Sequence, residues 1–208
     1  MKIAAINGSP RGKGSNTAKM LEHIFAGAQA YGAETLQVNL SERQIEHCTG
    51  CYRCWSATPG LCHIQDDMRG VMASLGGAQV IILGTPIYFG NVPGLFKDFI
   101  DRLTSAGNPH TGLHEEYVPL TPPKFLVLSS CGHPDRGQFE VLALWMKHFF
   151  RMLQTQPAGE IYLTGGKRLT THPDETTPRL QELLHRVGEQ LARDGVLEDA
   201  LLAELAQI

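Results

Sequence analysis

Short, nearly continuous apolar runs alternate along this chain with longer stretches whose apolar residues recur every three or four positions. Residues 3–7, 35–40, 80–83, 125–128 and 161–163 form the short runs. Their length and the Gly, Ser, Asn and Pro residues around them predict strands. Val80-Ile81-Ile82-Leu83 does not alternate at all, as expected of a central strand covered on both faces. The longer stretches predict helices. Ser15 caps one that carries Met20, Leu21, Ile24, Phe25 and Ala28 on one face. A second spans 66–75 and leads to Gly76-Gly77. A third has Pro93 in its first turn and runs through Phe96, Phe99, Ile100 and Leu103. A fourth, long helix holds Leu142, Leu144, Trp145, Phe149, Phe150 and Leu153, and a fifth spans 177–193.

Strands each followed by a helix predict a parallel sheet with helices on both faces. The expected fold is a single α/β domain over residues 1–208: a doubly wound, five-stranded parallel sheet in the flavodoxin-like strand order, layered α/β/α. A ligand in such a sheet lies outside the carboxyl ends of the strands. The Gly-, Pro- and His-rich stretch 105–123 is an excursion too short to be a domain. The tail 196–208 places Leu197, Leu201, Leu202 and Leu205 at helical spacing. It is a helical extension, serving either as a subunit interface or as a helix docked on its own chain.

Composition narrows the function classes. The 208 residues are 42% hydrophobic and 19% charged, with a formal charge of −3. No net basic field favours nucleic acid or an anionic membrane, no apolar run reaches the length of a bilayer span, and the N-terminus reads straight into a strand rather than a signal peptide. The expectation is a soluble cytoplasmic protein. Cysteine usage is the anomaly: Cys48, Cys51, Cys54 and Cys62 crowd one 15-residue stretch, and Cys131 stands alone. A disulfide framework would be spread along a small secreted chain, so the cluster points to a metal centre, to redox chemistry, or to no special role.

Three loops carry the candidate chemistry, those after the first, third and fourth strands. The first, residues 8–17, offers close backbone approach at Gly8, Gly12 and Gly14, hydroxyls at Ser9, Ser15 and Thr17, the amide of Asn16 and the charge of Arg11. Together with a helix start they suit a phosphate group. The glycine spacing matches neither the ATP-type loop nor the dinucleotide fingerprint, and a phosphomonoester such as that of FMN fits better. The second, 84–93, joins aromatic surface at Tyr88 and Phe89 to exposed backbone, which a flat heteroaromatic ring requires; the two aromatics equally fit a core corner. The third, Ser129-Ser130-Cys131-Gly132-His133, adds hydroxyls beside the same place. Cys131 there reads as a small buried residue rather than a nucleophile, and His133 has no identifiable partner.

Gly8-Ser9-Pro10-Arg11 with Ser15-Asn16-Thr17, then Thr85-Pro86-Ile87-Tyr88, then Lys97 with Asp101-Arg102, resembles the NADPH-dependent FMN reductase group of flavodoxin-like proteins over residues 1–165. The resemblance implies that Ser9, Arg11, Ser15, Asn16 and Thr17 hold the phosphate of FMN. It further implies that Pro86, Ile87, Tyr88, Phe89, Gly90 and Asn91 border the isoalloxazine, and that Ser129, Ser130, Cys131 and Gly132 close the pocket. The loop 47–63, with Cys48-x2-Cys51-x2-Cys54-x7-Cys62 followed by Asp66-Asp67-Met68, resembles the iron–sulfur flavoproteins within that group.

A four-iron cubane takes four thiolates around one compact object, and closely spaced cysteines of one loop supply them. Structural zinc prefers two separated knuckles, and the ferredoxin run closes on a shorter gap followed by Pro. Relatives of the iron–sulfur flavoproteins keep similar loops without a cluster, and the insert 55–60 departs from the shorter cluster loops. A bound [4Fe–4S] centre, free thiols and thiol–disulfide chemistry therefore all stay open. His47 and His63 flank the cysteines and could hydrogen-bond sulfur, and His110 and His114 could line a substrate entrance; all four read first as solvated loop residues. Asp66-Asp67 reads as a helix start, and Asp101-Arg102 as a structural ion pair or an interface element.

The resulting expectation is an enzyme, an NAD(P)H-dependent flavin oxidoreductase with FMN as cofactor. Electrons would pass to a quinone, a small electrophile or a protein acceptor, with flavin-centred chemistry and no protein acid, base or nucleophile. Two alternatives stand beside it: an electron carrier with FMN and [4Fe–4S] exchanging electrons with ferredoxin, and a flavin-binding redox-sensing or interaction module without turnover. Family resemblance implies a homodimer or homotetramer.

Overall fold

Successive strand residues face opposite sides of a sheet, and the runs read above sort accordingly. Ile3 and Ala5 join one buried cluster with Met20, Ile24, Leu184 and Val187, while Ala4 and Ile6 join another with Val71, Phe96, Phe99 and Met146. In the computed structural model, which describes residues 1–106, 123–165 and 169–208, the strands are β1 (Lys2–Asn7), β2 (Glu34–Asn39), β3 (Val80–Pro86), β4 (Lys124–Ser130) and β5 (Pro157–Leu163). The helices are α1 (Asn16–Ala30), α2 (Met68–Leu75), α3 (Gly94–Arg102), α4 (Glu140–Met152), α5 (Thr177–Asp194) and α6 (Asp199–Ala206). All strand pairs are parallel, in the order β2-β1-β3-β4-β5. Helices α1, α5 and α6 cover one face, and α2, α3 and α4 the other. This is the expected doubly wound architecture and the flavodoxin-like order.

Helices α1 and α5 meet backbone to backbone. A Cβ on Gly188 would lie 1.8 Å from the Ile24 carbonyl oxygen, and one on Gly27 would lie 1.9 Å from that of His185. Both positions need glycine because no side chain fits between the helices.

Some elements differ from the sequence reading. Strand β5 begins at Pro157 rather than 161, because its first half is not apolar and its register with β4 shifts at Phe125/Leu126. Leu144 is 61% exposed and Leu153 lies beyond the end of α4, so neither serves that helix's core contact. The C-terminal segment is docked on its own chain: Leu197, Leu201 and Leu205 are buried, the N–H of Leu197 donates to the Ala158 carbonyl, and Glu204 pairs with Arg186 and Arg179 from α5. Those leucines are core residues of this chain and not a subunit interface. The expected roles of His110 and His114 lie outside the described residues. No described helix is long and apolar enough to cross a membrane.

Candidate functional site

Strand β1 ends on Asn7, a polar residue with no exposure, and the loop after it is built on that amide. Asn7 Nδ2 donates to the Gly12 carbonyl at 3.0 Å and to Asn39 Oδ1 at 3.0 Å, and its Oδ1 accepts from the Ser9 N–H at 3.1 Å. Asn39 is its register partner on β2, so two strands that both end on Asn cross-link at the carboxyl edge of the sheet. Gly12 turns the loop at φ +53°, where a Cβ would meet Ser41 Oγ at 2.6 Å. Ser15 donates its hydroxyl to the Gly12 carbonyl and accepts from the Ala18 N–H. Its hydroxyl is thus spent on capping α1 and on closing the loop.

With Ala18 satisfied, the N–H groups of Asn16 and Thr17 begin a 15-residue helix with the usual open donors of a first turn. The Thr17 hydroxyl, on a residue 1% exposed, has no hydrogen-bond partner among the described residues. A buried orphan of this kind costs free energy unless something completes it. A phosphate at the helix start supplies acceptor oxygens for this hydroxyl and for the two N–H groups together. The residues present therefore fit the phosphate end of FMN. Ser9 is buried, and its hydroxyl accepts from the Arg11 N–H. Arg11 bends its guanidinium back to the Gly14 carbonyl, and Asn16 Oδ1 accepts from Thr170, which brings the segment after β5 to the same edge.

Close packing extends to β3, where a Cβ on Gly84 would lie 2.9 Å from Thr17 Cγ2 and 3.1 Å from the Ile6 carbonyl. Beyond Pro86 the Ile87 N–H donates to the Ser130 carbonyl, which joins the second and third loops. Tyr88 and Asn91 then exchange backbone hydrogen bonds across a tight turn. Its central residues, Phe89 and Gly90, have φ of +49° and +77°. Left-handed backbone is costly for phenylalanine, and the Phe89 ring is fully exposed. Tyr88 is about half exposed as well, so these aromatics form an open wall and not a core corner.

In the third loop Ser129 is fully buried, and its hydroxyl too has no hydrogen-bond partner among the described residues. Cys131 is buried, which pushes its thiol up, and its Sγ donates to the His133 carbonyl at 3.1 Å. His133 has a partner after all, since its Nδ1 accepts the Asp135 N–H. Gly132 and Pro134 line a cavity of about 390 Å³ together with Thr164, Gly165, His172 and Asp174.

The cysteine loop leaves the sheet after β2. Cys48 and Cys51 are exposed, Cys54 and Cys62 half-buried. Cys51 Sγ lies 3.6 Å from His63 Nδ1, the sulfur contact expected for a flanking histidine. Hydrogen bonding to the Arg53 N–H lowers the Cys51 thiol below its ordinary value. Burial raises that of Cys54, as do the neighbouring charges of Cys62, Cys48 and Cys51, so the thiols feel one another. The donor set has the number and softness of an iron–sulfur ligand set. Among the described residues, however, no three metal-binding side chains stand at ligating positions. Within the insert, the Trp55 ring lies tilted against that of Tyr52, with centroids 4.9 Å apart, and its Nε1 donates to the Thr104 carbonyl. Asp101 pairs with Lys97, while Arg102 pairs with Asp66, so Asp101 and Arg102 do not form the ion pair read from their adjacency.

Sheet order, phosphate-suited loop and aromatic wall together define a flavodoxin-like protein. The family of NADPH-dependent FMN reductases matches residues 1–168, and the chain belongs to it. An iron–sulfur flavoprotein of Archaeoglobus fulgidus is 40% identical over 106 residues, covering 51% of this chain and 50% of that protein. One of Methanosarcina thermophila is 36% identical over 102 residues, covering 49% and 51%. The chain thus spans about half the length of the curated relatives it matches. Among solved structures, an NAD(P)H:quinone oxidoreductase from Methanothermobacter marburgensis superposes with a TM-score of 0.66 at 16% identity, covering 92% of this chain and 96% of the other. An FMN-dependent NADH-azoreductase from Bacillus anthracis, in complex with FMN, gives 0.66 at 16% identity, covering 92% and 100%. These likenesses establish the shared fold.

Proposed function

We propose that this protein is an FMN-dependent oxidoreductase that takes electrons from NAD(P)H and passes them to a quinone or another small electrophile. The observation that carries the reading is the orphaned Thr17 hydroxyl at the capped start of α1, beside two open N–H donors. Family membership supplies the rest of the support. Asn16 and Thr17 would hold the phosphate, while Asn7, Gly12 and Ser15 keep the loop in shape. Tyr88, Phe89, Gly90 and Asn91 would border the flavin ring, with Ser129 and Ser130 closing the pocket. Bound FMN supplies hydride acceptance and electron donation at its ring. The chain's part is to orient that ring and to leave one face open to reductant and acceptor.

The relatives named iron–sulfur flavoproteins favour a second reading, in which Cys48, Cys51, Cys54 and Cys62 converge on a [4Fe–4S] centre that exchanges electrons with a partner such as ferredoxin. The four free cysteines carried by one short loop are the observation that supports it. A homodimer or homotetramer accompanies either reading, the exposed Phe89 and Tyr88 being surface that a second subunit could cover.

Anaerobic addition of NADPH or NADH to the FMN-loaded protein, followed by a benzoquinone, tests the first reading. The account expects the flavin absorbance to bleach and then to return on adding the quinone. FMN that stays oxidised under both nucleotides overturns it in favour of a flavin-binding module. Iron and sulfide in about fourfold molar ratio to the chain after anaerobic reconstitution would establish the second, and iron at background would remove it.

A further inference from the structure

Arg102 ends α3 yet is only 2% exposed. Nothing in its local sequence calls for burial, and a buried guanidinium persists only where its donors are answered. Its Nη1 donates to Asp66 Oδ2 at 2.6 Å and to the Glu46 carbonyl at 2.8 Å, and its Nη2 donates to Asp66 Oδ1 at 3.0 Å. Asp66 in turn accepts the N–H groups of Glu46 and Met68. One residue along, Gln44 donates its N–H to Asp67 Oδ2 and accepts that of Asp67. Residues 44–46 and 66–67 are therefore the two sides of a neck, and the loop carrying all four clustered cysteines is the segment between them. The guanidinium bonds both sides at once.

One donor of Arg102 is left over. Its Nε is buried and has no hydrogen-bond partner among the described residues, and the Cys62 side chain stands within interaction range of the guanidinium. An orphaned, buried, cationic donor beside a cysteine is a place prepared for anionic sulfur.

We propose that Arg102 is the positioning residue of the cysteine loop: it locks the loop's neck by bridging Glu46 to Asp66, and it holds a positive charge beside the Cys62 sulfur. The second half rests on the iron–sulfur reading above; the first half does not. Locking the neck fixes where the loop leaves and rejoins the domain, which lowers the entropy lost when its sulfurs gather on one centre. The cation offsets the negative charge of a thiolate-ligated cluster and favours its reduction.

The test compares wild type, Arg102→Lys and Arg102→Met as full-length, FMN-loaded chains. Hydrogen exchange of the metal-free proteins, followed by mass spectrometry, should accelerate by about a hundredfold over residues 44–67 in Arg102→Met, the lower end of what losing one partner of a buried pair gives. It should accelerate less in Arg102→Lys, and stay unchanged in β1, β3 and β4. Unchanged exchange over 44–67, or acceleration spread evenly through strands and loop, overturns the lock. If Arg102→Met does not fold, the Arg102→Lys comparison decides by the same criterion. After anaerobic reconstitution with iron and sulfide, the cluster of Arg102→Met should show a lower reduction potential than wild type and lose iron roughly ten- to a hundredfold more readily, with Arg102→Lys keeping most of the potential. Equal potentials overturn the charge role. Failure of wild type itself to take up iron overturns the iron–sulfur reading and the charge role with it, and leaves the exchange result to judge the lock.

Discussion

Thr17 concentrates the case for a bound phosphate in one hydroxyl, and the two states of the protein value that hydroxyl oppositely. In the flavin-free protein it is buried without a partner among the described residues, so Thr17→Val, which keeps the shape, should leave stability unchanged or raise it slightly in urea unfolding. With phosphate present the same change removes a hydrogen bond to a charged group, worth about 1.5–3 kcal/mol. FMN affinity should therefore fall roughly ten- to a hundredfold, as read by quenching of flavin fluorescence. A parallel loss of stability and affinity would instead make Thr17 an ordinary core residue. Glycine 188 poses the converse case, a residue whose absent side chain is what matters. Gly188→Ala drives a methyl into the Ile24 carbonyl and should destabilise the chain by about 3 kcal/mol, measured by the same unfolding, while affinity measured well below the transition holds.

At the scale of elements, the neck of the cysteine loop makes stability depend on acid. Burial pushes Asp66 up, but the Arg102 guanidinium and the Glu46 and Met68 N–H groups outweigh it and hold the carboxyl below its ordinary value. A carboxyl depressed on folding lends stability that is complete above its unfolded value, about 4, and is lost as pH falls through the folded one. Unfolding free energy should therefore drop below about pH 4, and Asp66→Asn should flatten that part of the profile while costing about 3 kcal/mol at neutral pH. An unaltered acid limb in the variant would contradict this. What the sequence made legible follows the same division by range. Strands, helices and the three loops announce themselves through local periodicity and glycine, but the loop-internal bonds of Ser9, Arg11 and Ser15 do not, since they depend on how the backbone of residues 9–18 turns. Asn7 and Asn39 carried a faint local signal, a polar residue closing each of two apolar strands. The partnership of Arg102 with Asp66 and Glu46 left none, since it joins positions 36 and 56 residues apart. For the same reason the tail read as a helix while the face it covers did not.

For the whole molecule, the account makes the sheet's carboxyl edge a flavin site and the cysteine loop an attachment pinned beside α3. The two are separable, because the phosphate loop draws on β1, β2 and α1 while the loop's neck draws on α3 and the start of α2. Loss of the cysteines should therefore not cost flavin, and the fold is complete without them. The central claim is that the start of α1 is built for the phosphate of FMN. Parallel equilibrium titrations of the flavin-free protein with FMN and with riboflavin, which lacks only that phosphate, test it most directly. The account predicts equimolar FMN binding at least about a hundredfold tighter than that of riboflavin, since several charge-assisted hydrogen bonds are at stake. Equal affinity for the two flavins, or no binding of either, would contradict it.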